Sequence, residues 1–347
     1  MSQRNGQLAR VLVALAAVVI VGAGLRAAST IAVPILLAGF IAFISAPLVF
    51  RLHAARVPYR LSVTIVLAAI LGMLSTLGLV VAGTITRFRE RLPDYRTRLV
   101  ELTEQAFAWA AQAGLPVSES ETGDLFDTGS VMDLVGATVS GVGAVVSRTV
   151  LILLVVGFLL FDARRLWDKI DAQFGGEGQA HPLSKISDEL YRYLGVKTGT
   201  SAATGILLGV WCAVLRVDFA LLWGFIAFVL NYIPTVGSIV AAIPPTIVAL
   251  VMLGPGAALL VAAGYLVVNT LIGSILEPRL LGDAVGLSPA TVLLSLVAWG
   301  WVLGPVGAIL SVPLTMVVKV VLANTAELAW VAHLMSAERA PPPRASA

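Results

Sequence analysis

Residues 219–252 read FALLWGFIAFVLNYIPTVGSIVAAIPPTIVALVM, and the way this stretch enters an apolar medium decides the fold. It carries no charge, yet Asn231, Pro234, Gly237, Pro244 and Pro245 interrupt it. A proline inside a helix removes a backbone donor and clashes with the preceding turn. Within a bilayer, such a break survives only where protein or a water-filled cavity satisfies the freed backbone groups. Length narrows the choice further. As one helix the stretch would reach roughly 51 Å at about 1.5 Å per residue, against a hydrocarbon core of about 30 Å. It falls short of two spans of about 20 residues plus a turn. Split at the break, limbs 219–230 and 239–252 would each reach about 18–21 Å. A helical hairpin that dips into the membrane and returns is the expectation, with a kinked, steeply tilted single helix as the alternative.

Composition sets the class. The 347-residue chain is 58% hydrophobic and 12% charged, with a mean hydropathy of +0.94. Soluble domains carry about 25% charged residues, so an all-α polytopic membrane protein in a lipid bilayer is expected. A net charge of +3 and the lack of a basic patch interleaved with aromatics argue against a nucleic-acid partner. The single cysteine, Cys212, excludes an internal disulfide and a thiolate metal cluster. His53, His181 and His333 are scattered, without metal-ligand spacing. The motifs HExxH, GxSxG and GxxxxGK followed by Ser or Thr are absent. Neither an ATP-driven pump nor an intramembrane enzyme is expected, and no cofactor or metal.

Along the chain, Val11–Leu25 and Ile31–Phe50 are apolar runs that suit a transmembrane hairpin. A cleaved signal peptide ending near Ala27-Ala28-Ser29 is the competing reading of the first run. Arg51, Arg56 and Arg60 occupy a short loop before a third span, Leu61–Thr86. Clustered arginines beside short loops mark the cytoplasmic side, and Arg4 and Arg10 agree, which places the N-terminus inside. Residues 1–86 thus hold the first three membrane helices. Residues 87–140 form an extracytoplasmic insertion whose first part reads as an amphipathic helix, with Leu99, Leu102, Ala106, Trp109, Ala110 and Ala113 near helical spacing. Residues 141–161 are a fourth span, and 162–197 a cytoplasmic linker with two short amphipathic helices expected around Gly175–Pro182. From Thr198 the charges nearly vanish, and residues 219–276 contain none. This core, 198–335, is followed by a disordered Pro-rich tail at 336–347.

The core contains an internal repeat. Val236-Gly237-Ser238-Ile239 matches Val306-Gly307-Ala308-Ile309, and Ile243-Pro244-Pro245-Thr246 matches Val312-Pro313-Leu314-Thr315 after one gap. The second broken segment is therefore 289–318. With one span, 257–276, between them, two hairpins must enter from opposite membrane faces, with tips meeting near the midplane. The fold expected is about six spanning helices plus two broken or re-entrant hairpins, eight membrane segments in all, with an inverted-repeat-like C-terminal half. Paired broken helices of this kind mark the substrate site in many secondary transporters.

Three stretches carry a resemblance to a known family: Tyr191–Leu250, ILEPRLLGDAVGLSPATVLLSLVAWGWVLGPVGAILSVPL from Ile275, and the early ILLAGFIAFISAPLVFRL. The chain resembles the autoinducer-2 exporter family of bacterial permeases. The resemblance implies a secondary transporter in the bacterial inner membrane with both termini cytoplasmic, an elevator-like motion and a homopentamer. It implies that an autoinducer-2-like solute is held between two hairpin tips. Those tips would be Asn231, Tyr232, Pro234, Thr235, Gly237 and Ser238 in the first hairpin, and Trp299, Gly304, Pro305 and Gly307 in the second.

Each residue also has a purely structural reading. Asn231 either hydrogen-bonds a hydroxylated solute or caps the following turn. Thr235 and Ser238 are small hydroxyls suited to capping, and the glycines permit tight turns and close helix approach. Asn269, Glu277, Arg279 and Asp283 are candidates for coupling or gating, because ionisable groups beside a transport path are functional candidates. The charged group Glu277, Arg279 and Asp283 is also readable as a salt bridge locking the internal loop against the amphipathic linker. No charged residue sits within either tip, which predicts a small, polar, largely uncharged solute. Sodium–proton exchange is the alternative transport reading, with Glu277 and Asp283 as the nearby carboxylates. A non-transporting membrane scaffold is the reading from another class.

Overall fold

In the computed structural model, residues 19–112, 149–174, 182–281, 286–325 and 328–337 are described. Among these the regular structure is helical, with one isolated bridge between Leu287 and Ser336. We number the helices α1 (Ser29–Ala54), α2 (Tyr59–Gln112), α3 (Thr149–Phe174), α4 (Pro182–Val214), α5 (Ala220–Leu230) and α6 (Val236–Leu253). They continue with α7 (Pro255–Val268), which runs on as a π-helix over Asn269–Leu276 and a last turn, α8 (Glu277–Leu281). α9 spans Pro289–Ala323 and α10 Ala329–Met335.

Five of these segments are long and apolar enough to cross a membrane: Ser29–Ala54, Tyr59–Thr76, Val236–Leu253, Pro255–Leu281 and Pro289–Ala323. Ile152–Ala163 and Ala220–Leu230 are shorter apolar helices. The chain is a multi-pass, helical membrane protein. Most of the first expected span, 11–18, and the start of the fourth, 141–148, lie outside the described residues, as do Ala113–Ser140 and the tail from 338.

Two features differ in outline from the sequence reading. α2 runs unbroken from the third span into the insertion, because nothing between Thr86 and Arg91 breaks a helix and Pro93 is accommodated within it. Around 175–181, the flanking segments belong to the ends of α3 and α4 rather than to separate short helices.

The chain divides into two compact units. One comprises Met1–Val66, Leu151–Gly195 and Leu281–Ala347; the other comprises Leu67–Val150 and Val196–Leu280. In the first unit, α1 packs against α9. α1 buries a ridge of small residues at helical spacing, Ala38, Ala42 and Ala46 with Val49. The Tyr59 hydroxyl donates to the Leu160 carbonyl at 2.6 Å, and Phe43 stacks on Tyr191 with ring centroids 4.0 Å apart. On α9, the Lys319 ammonium donates to the Gly286 carbonyl at 2.6 Å, closing the 286–288 loop against that helix.

The second unit is organised on α4. A Cβ added to Gly205 would lie 2.7 Å from the Gly224 carbonyl oxygen, and one on Gly224 would lie 2.6 Å from that of Gly205 and 2.9 Å from the Gly209 Cα. Two glycines four apart on α4 therefore let α5 approach at backbone distance, the small-xxx-small device of membrane helices. The shared core takes Leu208 and Cys212 from α4, Leu222, Trp223 and Ile226 from α5, Ala241, Val248 and Val251 from α6, and Val261 and Tyr265 from α7.

Candidate functional site

The chain turns at Asn231–Thr235, between α5 and α6. A Cβ on Gly237 would overlap the carbonyl oxygen of Leu230, seven residues earlier. In a straight helix those residues stand about 10 Å apart along the axis. The limbs therefore fold back on each other, and the hairpin rather than the kinked helix is what forms. The reversal is completed at Thr235, whose φ of 56° and ψ of −51° close an i to i+2 hydrogen bond from the Val236 amide to the Pro234 carbonyl at 2.6 Å. This is the rare, strained γ-turn geometry, and strain of that order costs about 1–3 kcal/mol.

The first-tip side chains divide into two sets. Asn231 and Tyr232 are buried and point into protein: the Asn231 amide donates to the Ser201 hydroxyl at 3.0 Å and the Tyr232 hydroxyl to Thr198 at 2.7 Å. Pro234, Thr235 and Ser238 form the accessible part. The Thr235 hydroxyl donates to the Pro234 carbonyl at 2.7 Å and that of Ser238 to the Thr235 carbonyl at 3.2 Å. The tip thus presents turn backbone and two small hydroxyls.

The second broken segment repeats the device. Gly304 has φ 67° and ψ −152° inside α9, splitting it into two limbs. A Cβ on Gly307 would overlap the carbonyl oxygen of Trp299, eight residues back, so Gly307 and Gly237 hold corresponding positions in their turns. The Trp299 indole donates to the Thr315 hydroxyl at 3.0 Å, sixteen residues away, where a straight helix would separate them by about 24 Å. Both predicted breaks are reversals. Pro305 is exposed at the turn, and a Cβ on Gly304 would meet nothing within 4 Å. The sequence partner of Thr315 in the first hairpin is Thr246, whose buried hydroxyl finds no hydrogen-bond partner among the described residues.

The coupling candidates scatter. Asn269 opens the π-helical stretch, with its side-chain oxygen lying over Gly273, 3.0 Å from where a Cβ would sit. A π-turn inside a membrane helix is uncommon and often marks a functional position. Glu277, largely but not fully buried, pairs with buried Lys197 at 2.7 Å and accepts from Thr200 at 3.3 Å. Arg279 is exposed, and Asp283 lies outside the described residues.

Lys197, Thr198, Thr200 and Ser201 went unrecognised from sequence. This KTGTS run receives Glu277, Tyr232 and Asn231 in turn, so one polar edge of α4 seats both the first tip and the end of the π-helical stretch. The run straddles the boundary between the linker and an apolar span, where hydropathy alone does not set it apart.

Residues 11–327 match the AI-2E family transporter. The chain belongs to the AI-2E transporter family. It is 38% identical over 329 residues to the AI-2 transport protein TqsA of Escherichia coli, covering 94% of this chain and 95% of TqsA. A provisionally named transport protein of Haemophilus influenzae is 34% identical, covering 96% of this chain and 98% of the relative. YhhT of Escherichia coli is also 34% identical, over 91% of this chain and 90% of its own length. The AI-2E transporters are a family of transport proteins rather than of enzymes, and a membrane transporter is what this helical chain is.

Proposed function

We propose that this transporter exports a small polar solute, of the autoinducer-2 kind named for its relative TqsA, by alternating access. The tips of the two hairpins serve as its binding surfaces, and the hairpin-bearing core moves in the manner of an elevator. The observation that carries the reading is the pair of helix reversals, each closing on a glycine whose Cβ would strike a carbonyl. A broken helix leaves amides and carbonyls that a polar solute can satisfy without buried charge. In the first hairpin, Pro234, Thr235 and Ser238 would meet the solute, while Asn231 and Tyr232, held by Ser201 and Thr198, would fix the tip. In the second, the backbone at Gly304 and Pro305 would do so, with Trp299 and Gly307 setting the turn. Assembly as a homopentamer in the bacterial inner membrane, both termini cytoplasmic and the hairpins related as an inverted repeat, completes the proposal.

Uptake into inside-out membrane vesicles tests it. Solute accumulation should fall about tenfold on Ser238→Val or Thr235→Pro, whereas Gly39→Ala, on α1 where a Cβ meets nothing within 4 Å, should transport normally. Accumulation unchanged by both tip substitutions would refute the assignment.

A further inference from the structure

The sequence places no charge within either tip, but the structure brings one to the limb that leads into the second. The Arg26 guanidinium lies over the Trp301 ring, 4.4 Å from its centroid. Trp301 is three residues before the Gly304 reversal and is 58% exposed. No carboxylate pairs with Arg26 among the described residues. Its neighbours from Val19 to Leu25 and from Ala27 to Ala28 are apolar or glycine. Arg26 is exposed and lies just before the apolar span Ser29–Ala54. The indole face stabilises its charge but satisfies none of its five N–H donors. With its central carbon held over the ring, the guanidinium keeps N–H donors for an oxyanion, a group it binds through two parallel N–H···O hydrogen bonds. Space is open at the adjacent turn, where a Cβ on Gly304 meets nothing within 4 Å.

We propose that Arg26, oriented by Trp301, is a specificity-determining residue that selects solutes bearing an oxyanion at the second hairpin tip. This rests on the transport reading and revises its expectation of an uncharged solute. The cation supplies the charge and two donors, and Trp301 supplies orientation.

Binding of inorganic phosphate and acetate, with neutral acetamide as control, tests this by calorimetry on the full chain in phosphatidylcholine nanodiscs. Phosphate and acetate should bind saturably and acetamide should not. Arg26→Gln should weaken anion binding at least about tenfold, the loss expected for one charge-assisted contact. Arg26→Lys, which keeps the charge but not the fork, should fall between, and Trp301→Phe should stay close to wild type. Equal anion binding by wild type and Arg26→Gln overturns the proposal, as does acetamide binding as tightly as acetate. A lipid source is separated by weighing the phosphatidylglycerol retained through purification. Arg26-dependent retention with no binding of soluble anion makes the partner a headgroup and overturns a role in solute selection. Should Arg26→Gln fail to fold, Arg26→Lys and Trp301→Leu carry the comparison, and wild-type affinity in both overturns it. Vesicle uptake that survives Arg26→Gln for anionic and neutral solutes alike defeats this inference and leaves the transport reading standing; absence of uptake of any solute by wild type defeats that reading instead.

Discussion

Gly237 and Gly307 are the residues at which the two reversals are least tolerant. At each, the atom a side chain would meet is backbone oxygen, which cannot rotate aside. Overpacking of this kind costs about 1–3 kcal/mol and occasionally more, so Gly237→Ala and Gly307→Ala should each lower the melting temperature in detergent by several degrees, with Gly39→Ala as the neutral control. Glu277 and Lys197 pose a different question, because an ion pair this deep can be structural or coupling. Removing one partner of a buried pair costs about 3–5 kcal/mol, whereas replacing both with apolar residues is often neutral. Lys197→Met and Glu277→Leu alone should therefore destabilise, and the double variant should recover most of the loss and retain transport. A stable double variant with no transport would assign Glu277 to coupling. At this scale the sequence is least explicit. Asn231 has the chemistry of a ligand and of a cap, and only its distance to Ser201 shows which atoms occupy it. Arg26 is far from Trp301 in sequence, so no local pattern joins them.

At the scale of elements, the hairpins are legible because Pro, Gly and limb length are local constraints, and each has a direct backbone consequence. The continuity of α2 is not legible, because a change from apolar to amphipathic pattern at Thr86 marks a change of surroundings and need not mark a helix end. The distal part of α2 is held to the turn before α5. Arg91 reaches Asp218 at 2.7 Å and the buried Tyr95 hydroxyl donates to the same carboxylate at 2.9 Å. The Asp218 carbonyl accepts the Trp223 indole at 2.7 Å, which joins the clasp to α5. Burial, and then the hydrogen bond to Asp218, push the Tyr95 hydroxyl above the ordinary tyrosine value. The folded state thus favours the protonated form. Its contribution is fully present below the unfolded value near 10 and is lost as pH rises through the higher folded value. Tyr95→Phe should cost about 1–2 kcal/mol at neutral pH, and thermal melts should show that difference constant from pH 6 to 9 and shrinking only above about 10.

For the whole molecule, the class follows from hydropathy alone: 58% hydrophobic and 12% charged residues dictate a multi-pass helical membrane protein. The assignment of segments to two units does not. Each unit carries one hairpin, 219–252 in one and 289–318 in the other, and long-range packing of this kind depends on small-residue contacts such as Gly205 with Gly224. The central claim of the proposal is that each hairpin tip is a solute-binding surface reached alternately from the two membrane faces. Cysteine accessibility tests it most directly. In a Cys212→Ser background, single cysteines at Thr235 and Pro305 are labelled with a membrane-impermeant maleimide applied from each side, with and without transported solute. The account predicts that each position is reached by the polar reagent, and that solute protects it or shifts the side from which it is labelled. Failure of the reagent to reach either position from any side, or labelling from a single face indifferent to solute, would contradict it.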